Sequence, residues 1–280
     1  MPYRILYLLP KNLLSYALGK IVHARLPLGL HKVIKTWFIR YYKVETGEAE
    51  LPLNQYETLG AFFIRRLKPG ARVIDQDSLV SPVDGTLTQG GSFQPQNPRL
   101  TQIKGLEYQL EDLIGPGWNI GDYRTGGFLT VYLAPYNYHR IHSPIEGQVT
   151  QVSYIPGALW PVNSWSVTQV PGLFVVNERI IVELTGTGGK ALVVMVGATN
   201  VGRITLDFLP SLIGNSYPQN EMRIWNPPQP ISIQKGQGLG CFELGSTVIL
   251  ILSKEMMAKV SPSFLNSQSR SIRMGQGLAT

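Results

Sequence analysis

Residues 235–252 read KGQGLGCFELGSTVILIL, a glycine-punctuated loop that runs directly into an apolar segment of strand length. Gly245 and Ser246 lie at the junction. Glycine has no Cβ, so its carbonyl is open to approach, and serine supplies a hydroxyl that becomes a nucleophile when a base lies beside it. From this stretch alone, a tight turn entering a β-strand is the better interpretation.

Composition favours one large folded unit with many short strands. The 280 residues are 44% hydrophobic and 15% charged, and the 29 glycines and 20 prolines predict frequent turns. Apolar runs of strand length recur at 127–133, 180–184, 191–196 and 248–252. The single cysteine, Cys241, excludes an internal disulfide and, with four histidines, leaves little material for a metal site. We therefore predict a mainly β, α+β protein with no metal.

The excess positive charge lies in an N-terminal arm. The first 44 residues contain no Asp or Glu and eight basic residues: Arg4, Lys11, Lys20, Arg25, Lys32, Lys35, Arg40 and Lys43. Two apolar stripes repeat there at helical spacing, Leu14, Leu18, Val22 and Leu26 in the first and Val33, Trp37 and Tyr41 in the second. Pro10 and Pro27 punctuate the two segments. His23 and His31, within this arm, are interpreted as structural.

This arm is predicted to lie on an anionic membrane surface, because it is basic, amphipathic and carries Trp and Tyr. No apolar run approaches the roughly 20 residues that span a bilayer, and the start lacks the features of a signal peptide. One alternative is an ordinary helical arm packed on the domain with solvated lysines. Nucleic acid is a weaker alternative, because large aliphatic residues interrupt the basic ones.

Residues 45–76 form a bridge between the arm and the β-rich region. Asn54 is predicted to cap a short helix that continues to Lys68. The pair Arg65 and Arg66 is interpreted as a solvated face, with lipid phosphate as an alternative partner.

A local repeat stands out in the β-rich region: residues 81–87 read SPVDGTL and residues 143–149 read SPIEGQV. Two copies of Ser-Pro-apolar-acid-Gly predict two equivalent turns in a pseudo-symmetric β-sandwich, or in a barrel-like variant of it. The acid of the first copy, Asp84, could be only a turn residue.

His139 and His142 follow a strand-like segment, within residues 132–144 that read YLAPYNYHRIHSP. Three residues apart in a non-helical loop, the two imidazoles can point at one cavity, which makes them candidates for acid–base chemistry. With Asp84 and Ser246 the chain then offers an acid, a histidine and a serine, the set in which an oriented imidazole deprotonates a hydroxyl. The sequence does not show that the three residues meet.

The chain resembles the bacterial phosphatidylserine decarboxylase proenzymes over nearly its whole length. The segments that carry the resemblance are FFIRRLKPG at 62–70, SPVDG at 81–85, residues 135–144, LFVVNER at 173–179, VGATNVG at 196–202 and LGST at 244–247. The last segment is the self-cleavage motif of the family. Asn137 departs from the family pattern, which has an acidic residue at that position.

The resemblance implies a maturation reaction. Asp84 orients His142, His142 deprotonates Ser246, and the Ser246 oxygen attacks the Gly245 carbonyl. β-Elimination from the resulting ester releases Gly245 as a new C-terminus, and the remaining dehydroalanine hydrolyses to a pyruvoyl group and ammonia. The products are a β chain of residues 1–245 and an α chain of residues 246–280.

The resemblance also implies the mature activity. The covalent pyruvoyl group derived from Ser246 forms a Schiff base with the amine of phosphatidylserine and accepts electrons as CO₂ leaves, giving phosphatidylethanolamine. His139 assists decarboxylation and reprotonation, and Tyr132 is a second candidate. Residues 1–45 then form the membrane-binding arm and residues 46–280 the catalytic domain. The expected location is the cytoplasmic face of the bacterial inner membrane, and a homodimer is left open.

Three other interpretations stay open. An ordinary serine esterase would use the same acid, histidine and serine, although no Gly-x-Ser-x-Gly motif surrounds Ser246. A non-catalytic β-sandwich tethered to a membrane would use the repeated turns only as architecture. A related decarboxylase could act on a soluble amino acid, against which the lipid-seeking arm argues.

Overall fold

The computed structural model describes residues 10–102, 105–199, 203–215, 221–243, 246–265 and 269–279. The helices are α1 Lys11–Val22, α2 Leu28–Tyr42, α3 Leu59–Phe63, α4 Leu110–Ile114, α5 Ser164–Gln169, α6 Leu173–Val176 and α7 Lys254–Met257. The strands are β1 Gly85–Ser92, β2 Arg99–Thr101, β3 Glu107–Gln109, β4 Gly127–Leu133, β5 Arg140–His142, β6 Gly147–Ile155, β7 Arg179–Gly186, β8 Gly189–Val196, β9 Ile204–Leu206, β10 Arg223–Trp225, β11 Ile231–Ile233, β12 Gly238–Phe242, β13 Ser246–Leu252 and β14 Arg270–Ile272.

An antiparallel sheet forms the centre of the molecule, with its strands in the order β10-β6-β7-β8-β13-β4-β1-β14 and with β11 also paired to β6. Strand β13 lies between β8 and β4, and all seven of its residues are buried. A continuous apolar run suits this central position, because both faces of the strand are covered. The four strands predicted from apolar runs are confirmed as β4, β7, β8 and β13.

A second, three-stranded sheet has the order β5-β12-β9. Its apolar side chains, among them Ile141, Phe242 and Ile204, belong to the same hydrophobic core as those of β4 and β13. The predicted mainly β, α+β fold with sandwich-like packing is therefore confirmed. The barrel-like variant is not formed, because the described end strands β10 and β14 do not pair with each other.

The predicted equivalence of the two Ser-Pro turns is visible in their hydrogen bonds. Ser81 Oγ donates to the Val83 carbonyl at 2.8 Å, and Ser143 Oγ donates to the Ile145 carbonyl at 2.6 Å. The two turns also bond to each other reciprocally, from Val80 N to the Pro144 carbonyl and from His142 N to the Pro82 carbonyl, both at 2.9 Å. Turns that cross-link in this way fix the start of β1 against the start of β6.

A second internal repeat, absent from our sequence interpretation, completes the pseudo-symmetry. Residues 231–239 read ISIQKGQGL and residues 270–278 read RSIRMGQGL. The first copy begins with β11, which pairs with β6, and the second begins with β14, which pairs with β1. Gly236 and Gly275 hold equivalent positive φ angles of 79° and 84°, which glycine adopts without strain. Each turn therefore wraps around one Ser-Pro turn.

The arm forms the two predicted helices, which begin after Pro10 and Pro27. Both helices turn part of their apolar surface outward and bury polar residues, although α1 also buries Val22 and α2 also buries Phe38. In α1 the buried residues are Lys11, Ser15, Gly19 and Val22, whereas Leu13, Leu14 and Ile21 are exposed. In α2 the buried residues include His31 and Lys35, whereas Leu30, Val33, Trp37 and Tyr41 are exposed. Lys11 and Lys35 are thus buried, so the interpretation that all lysines of the arm are solvated is wrong.

The predicted helix from Asn54 to Lys68 is also wrong in its bounds. Helix α3 begins after Thr58, whose Oγ1 accepts a hydrogen bond from Ala61 N at 3.0 Å, and it ends at Phe63. Asn54 lies in a short 3₁₀ turn, and the extended backbone of Tyr56 separates that turn from α3. Within the described part of the chain, no helix has both the length and the apolar character required to cross a bilayer.

Candidate active site

Ser246 is the first residue of β13 and pairs with Leu133 of β4. Its side chain is fully buried, and its Oγ has no hydrogen-bond partner in the structure. A buried hydroxyl without a partner is costly and therefore rare outside functional sites. Leu244 and Gly245 lie outside the described residues, so the bond predicted to be cut is not itself described.

His142, the last residue of β5, has hydrogen-bond partners at both ring nitrogens. Nδ1 lies 2.7 Å from the Gly236 carbonyl and Nε2 lies 3.0 Å from the Tyr138 hydroxyl. A carbonyl can only accept, so Nδ1 carries the proton and Nε2 accepts from Tyr138. Burial lowers the pKa of His142 below its ordinary value, despite the opposing effect of the Gly236 hydrogen bond. His142 is therefore a neutral imidazole whose basic nitrogen is occupied by Tyr138.

His139 is more deeply enclosed, with no exposed surface. Its Nδ1 lies 2.9 Å from the Asn137 carbonyl, which makes Nδ1 the protonated nitrogen, and its Nε2 has no partner. The ring lies against that of Phe63, with centroids 4.1 Å apart. Burial lowers the pKa of His139 to about 3. His139 therefore presents an unoccupied basic nitrogen inside the protein.

Asp84, in the first Ser-Pro turn, is almost fully buried and bonds to Arg72 rather than to a histidine. Arg72 Nε donates to one carboxylate oxygen at 3.0 Å, and a terminal guanidinium nitrogen donates to the other at 2.5 Å. The backbone N–H of Met274 adds a further hydrogen bond of 2.8 Å. Arg72 also forms an ion pair of 2.8 Å with Glu48. Because these carboxylates favour its charged form, the pKa of Arg72 is raised even though it is buried.

The predicted residues are not joined to one another by hydrogen bonds: Asp84 pairs with Arg72, and His142 pairs with Tyr138 and Gly236. Asp84 contributes electrostatically at His142, but no hydrogen bond links Asp84 with His142, or His142 with Ser246. The main-chain N–H of Phe242 donates to the His139 carbonyl at 3.0 Å, and four residues separate Phe242 from Ser246. Four residues extend at most about 14 Å.

Asn137 replaces the acidic residue that the resemblance predicts. Its Oδ1 accepts a hydrogen bond from Ala134 N at 2.8 Å, and its own carbonyl receives the proton of His139 Nδ1. An aspartate oxygen would accept the same hydrogen bond from Ala134 N. The Asn137 side chain therefore preserves the turn that orients His139.

Tyr132 lies directly opposite Thr247 in the pairing of β4 with β13. Both line a cavity of about 180 Å³. The other lining residues are Thr88, Gln89, Gln102, Thr130, Val162, Asn163, Ser164, Val167 and Phe174. None of them is charged, and the buried hydroxyls of Thr130 and Thr247 have no hydrogen-bond partner. The cavity beside Thr247 can thus accept a small, uncharged or desolvated group.

Sequence reasoning did not identify Arg72 and Tyr138, the direct partners of Asp84 and His142. No spacing rule pairs an arginine with an acid twelve residues away in irregular chain, or a tyrosine with a histidine four residues away outside a helix. It also misjudged Arg65, which is only 4% exposed and is not part of a solvated face.

Among the residues that the structure describes, no three His, Cys, Asp or Glu side chains converge as metal ligands.

Comparison with known proteins identifies the family. The family model for phosphatidylserine decarboxylase matches residues 59–280. Phosphatidylserine decarboxylase proenzyme of Anaeromyxobacter sp. strain K is 42% identical over 88% of this chain and 87% of its own. The proenzyme of Myxococcus xanthus is 38% identical over 89% and 88%, and that of Dechloromonas aromatica is 36% identical over 98% and 95%. The chain belongs to the phosphatidylserine decarboxylase family.

Proposed function

We propose that this chain is a self-processing decarboxylase that cuts itself between Gly245 and Ser246 and then converts phosphatidylserine to phosphatidylethanolamine and CO₂ in phospholipid biosynthesis. The observation that carries the proposal is the fully buried hydroxyl of Ser246, which has no hydrogen-bond partner among the described residues and belongs to the self-cleavage motif LGST. Such a hydroxyl is free to act as a nucleophile once a base takes its proton.

His142 is the proposed base for the cut, oriented electrostatically by Asp84. Its Nε2 carries no proton, so it can accept that of Ser246 after Tyr138 releases it. The Ser246 oxygen then attacks the Gly245 carbonyl, the amide nitrogen takes up the proton, and the peptide becomes an ester. Removal of the Ser246 α-proton expels the Gly245 carboxylate, and water converts the remaining enamine to a carbonyl with release of ammonia. Only a residue with a β-hydroxyl or β-thiol can both attack and eliminate.

A pyruvoyl group at position 246 would supply an electron sink for the electrons released with CO₂. The residue present fits this group, because the Ser246 side chain that would be converted to it is fully buried away from water. His139 is the proposed residue that holds and returns the proton required at the former α-carbon. Its lowered pKa keeps it neutral until it takes up that proton, and Tyr132 at the adjoining cavity is a second proton donor.

The arm supports a membrane-bound substrate. Residues 1–45 are proposed to hold the catalytic domain of residues 46–280 on the anionic cytoplasmic face of the bacterial inner membrane. The support is the outward apolar face of α1 and α2, where Trp37 is 59% and Tyr41 is 66% exposed. Exposed apolar stripes flanked by lysines and arginines suit the boundary between headgroups and acyl chains. A homodimer is compatible with this arrangement.

Intact-mass spectrometry tests the proposal. The wild-type chain should give an α chain that begins at residue 246, lacks a free amine and gains a reducible adduct with phosphatidylserine and borohydride. Ser246→Ala should remain a single chain near 31.1 kDa, whereas Ser246→Cys, which retains a β-nucleophile, should still be cut. A wild-type chain that stays whole in the presence of membranes would reject the proposal and favour a hydrolase or a scaffold.

A further inference from the structure

The side chain of Arg65 is a buried cation without an ion-pair partner. It is 4% exposed, its Nε has no hydrogen-bond partner, and the described residues form no salt bridge with it. The ring of Phe62 lies 5.0 Å from its Cζ, which shields the guanidinium but does not neutralise it. Burial lowers the pKa of Arg65, yet a guanidinium stays protonated in proteins. A buried charge of this kind is costly unless an anion pairs with it.

The nearest acids are already paired elsewhere. Asp84 and Glu48 both contribute to the electrostatics of Arg65, but each forms its ion pair with Arg72, at 2.5 Å and 2.8 Å. The Arg65 guanidinium therefore retains its hydrogen-bonding capacity for a group that the protein itself does not provide.

Arg65 is also reachable, because it lines an open groove of about 600 Å³. The arm contributes His23 and Arg25 to this groove, and Tyr56 and Ile64 provide apolar surface. The other charged lining residues are Glu50, Glu57, Arg66 and Arg140, and Glu57 is paired with Arg25 at 2.7 Å. Arg140 is paired to Asp207 at 2.7 Å. The groove therefore connects the base of the membrane-facing arm with an unpaired guanidinium.

Arg65 lies close to residues of the candidate active site. Phe63, two residues before Arg65, lies against the His139 ring, and the charge of Arg65 acts on both His139 and Tyr138. In phosphatidylserine the phosphorus is three bonds from the α-carbon that loses CO₂. A cation that holds the phosphate must therefore lie close to the residue that handles the proton of that carbon.

Phosphate suits Arg65 better than the substrate carboxylate does. The carboxylate charge disappears as CO₂ leaves, so pairing it with a cation would stabilise the ground state and slow the reaction. The phosphodiester keeps its single negative charge throughout and matches the planar fork of a guanidinium. The cavity beside Thr247 contains no charged lining residue and cannot balance a phosphate.

We propose that Arg65 binds the phosphate of the phosphodiester headgroup, which enters through the groove between the arm and α3. The identity of the lipid rests on the proposed function, whereas the anion site rests on the burial and the missing partner of Arg65.

Binding to the uncut Ser246→Ala chain tests this site without any catalytic turnover. The probes are glycerophosphoserine, dihexanoyl phosphatidylserine below its micelle concentration, inorganic phosphate, and O-methylserine, which lacks phosphate. Both phosphodiesters should bind, and R65M should weaken their binding about 10- to 100-fold, as expected for loss of charge-assisted hydrogen bonds. The affinity for O-methylserine should be the same in the Ser246→Ala chain with and without R65M, because this probe has no phosphate.

Arg66 provides the matched control, because it lines the same groove but its side chain is exposed to solvent. R66M removes an equal charge and should weaken phosphodiester binding less than about threefold. Equal losses in R65M and R66M, or none in R65M, would overturn the proposal. If inorganic phosphate binds more strongly than the diesters, the site is one for free phosphate rather than for a lipid headgroup. That result would also overturn the proposal.

If R65M does not fold, ¹⁵N-labelled arginine in the Ser246→Ala chain gives the same answer. The Nε–H resonance that disappears in R65K should shift with glycerophosphoserine and not with O-methylserine, and an unmoved resonance would overturn the site.

Failure of the anion site can be distinguished from failure of the proposed function. A wild-type chain that neither matures nor releases CO₂ would reject the enzyme while leaving Arg65-dependent binding intact. Decarboxylation with an unchanged KM in matured R65M would reject only the site.

Discussion

Both carboxylate oxygens of Asp84 are hydrogen-bonded to Arg72, and neither is bonded to His142. Arg72 also pairs with Glu48, so one buried guanidinium links the first Ser-Pro turn to the chain that follows the arm. Asp84 is thereby held in place by Arg72.

Replacing Arg72 should therefore affect stability and maturation together. Arg72→Gln leaves the buried carboxylate of Asp84 without a cation and leaves Glu48 only its contact with Arg273. This change should lower the free energy of unfolding by about 3–5 kcal/mol and slow maturation. Urea unfolding in the Ser246→Ala chain and the rate of α-chain appearance in the wild-type chain measure the two effects. Arg273→Gln is the control, because Arg273 is 62% exposed and lies 3.5 Å from Glu48. An equal cost for both variants would show that Arg72 does not anchor Asp84.

Tyr138 should restrain maturation. Its hydroxyl occupies the His142 nitrogen that must accept the Ser246 proton, and burial raises the pKa of Tyr138 to about 12, so it stays a donor. Tyr138→Phe removes a hydrogen bond with a net value of about 1 kcal/mol and should speed the cut roughly fivefold. Tyr136→Phe, at an exposed tyrosine of the same turn, should leave the rate unchanged. A slower cut in Tyr138→Phe would mean that this tyrosine positions His142 instead.

His139 should make the uncut chain sensitive to acid. Its pKa is lowered from 6.5 to about 3 by burial, so below pH 6.5 the unfolded chain binds a proton that the folded chain does not. Stability is therefore complete above pH 6.5 and falls as the pH decreases towards 3. In the Ser246→Ala background, His139→Gln should reduce the loss between pH 7 and pH 5 by about 2 kcal/mol.

Urea midpoints at the two pH values measure this difference. Between pH 7 and pH 8, where the histidine is neutral in both states, the pH dependence of the two chains should be the same. An unchanged acid sensitivity in His139→Gln would show that His139 can be protonated in the folded chain.

The exposed face of α2 should bind membranes. Changing Trp37 and Tyr41 to Ser should weaken binding to anionic vesicles by about tenfold or more, because two large apolar side chains no longer enter the interface. The free energy of unfolding should change little, since both side chains are exposed. Vesicle sedimentation at low and high salt measures the effect, and salt should weaken the remaining electrostatic attraction. Val73→Ser, at an equally exposed site outside the arm, should bind as the wild type does.

The sequence by itself determined the strand content, the two helices of the arm, and the residue types of the site. Apolar runs predicted four central strands because buried strands need continuous hydrophobicity, and Pro10 and Pro27 marked the beginnings of the helices. The Ser-Pro repeat predicted pseudo-symmetry because identical turns make identical local bonds. The family motifs singled out Asp84, His139, His142 and Ser246, whose proposed roles the experiments above test.

Only the tertiary structure decided the partners of these residues and the direction in which the arm faces. Arg72 and Tyr138 reach their partners through chain folding that no local spacing records, and the burial of Arg65 depends on how α3 packs against the arm. An apolar stripe has the same sequence period whether it faces a protein core or a membrane. Its outward orientation in α1 and α2 follows from the packing of Ser15, Gly19 and Lys35 on the opposite side, which is a property of the assembled fold.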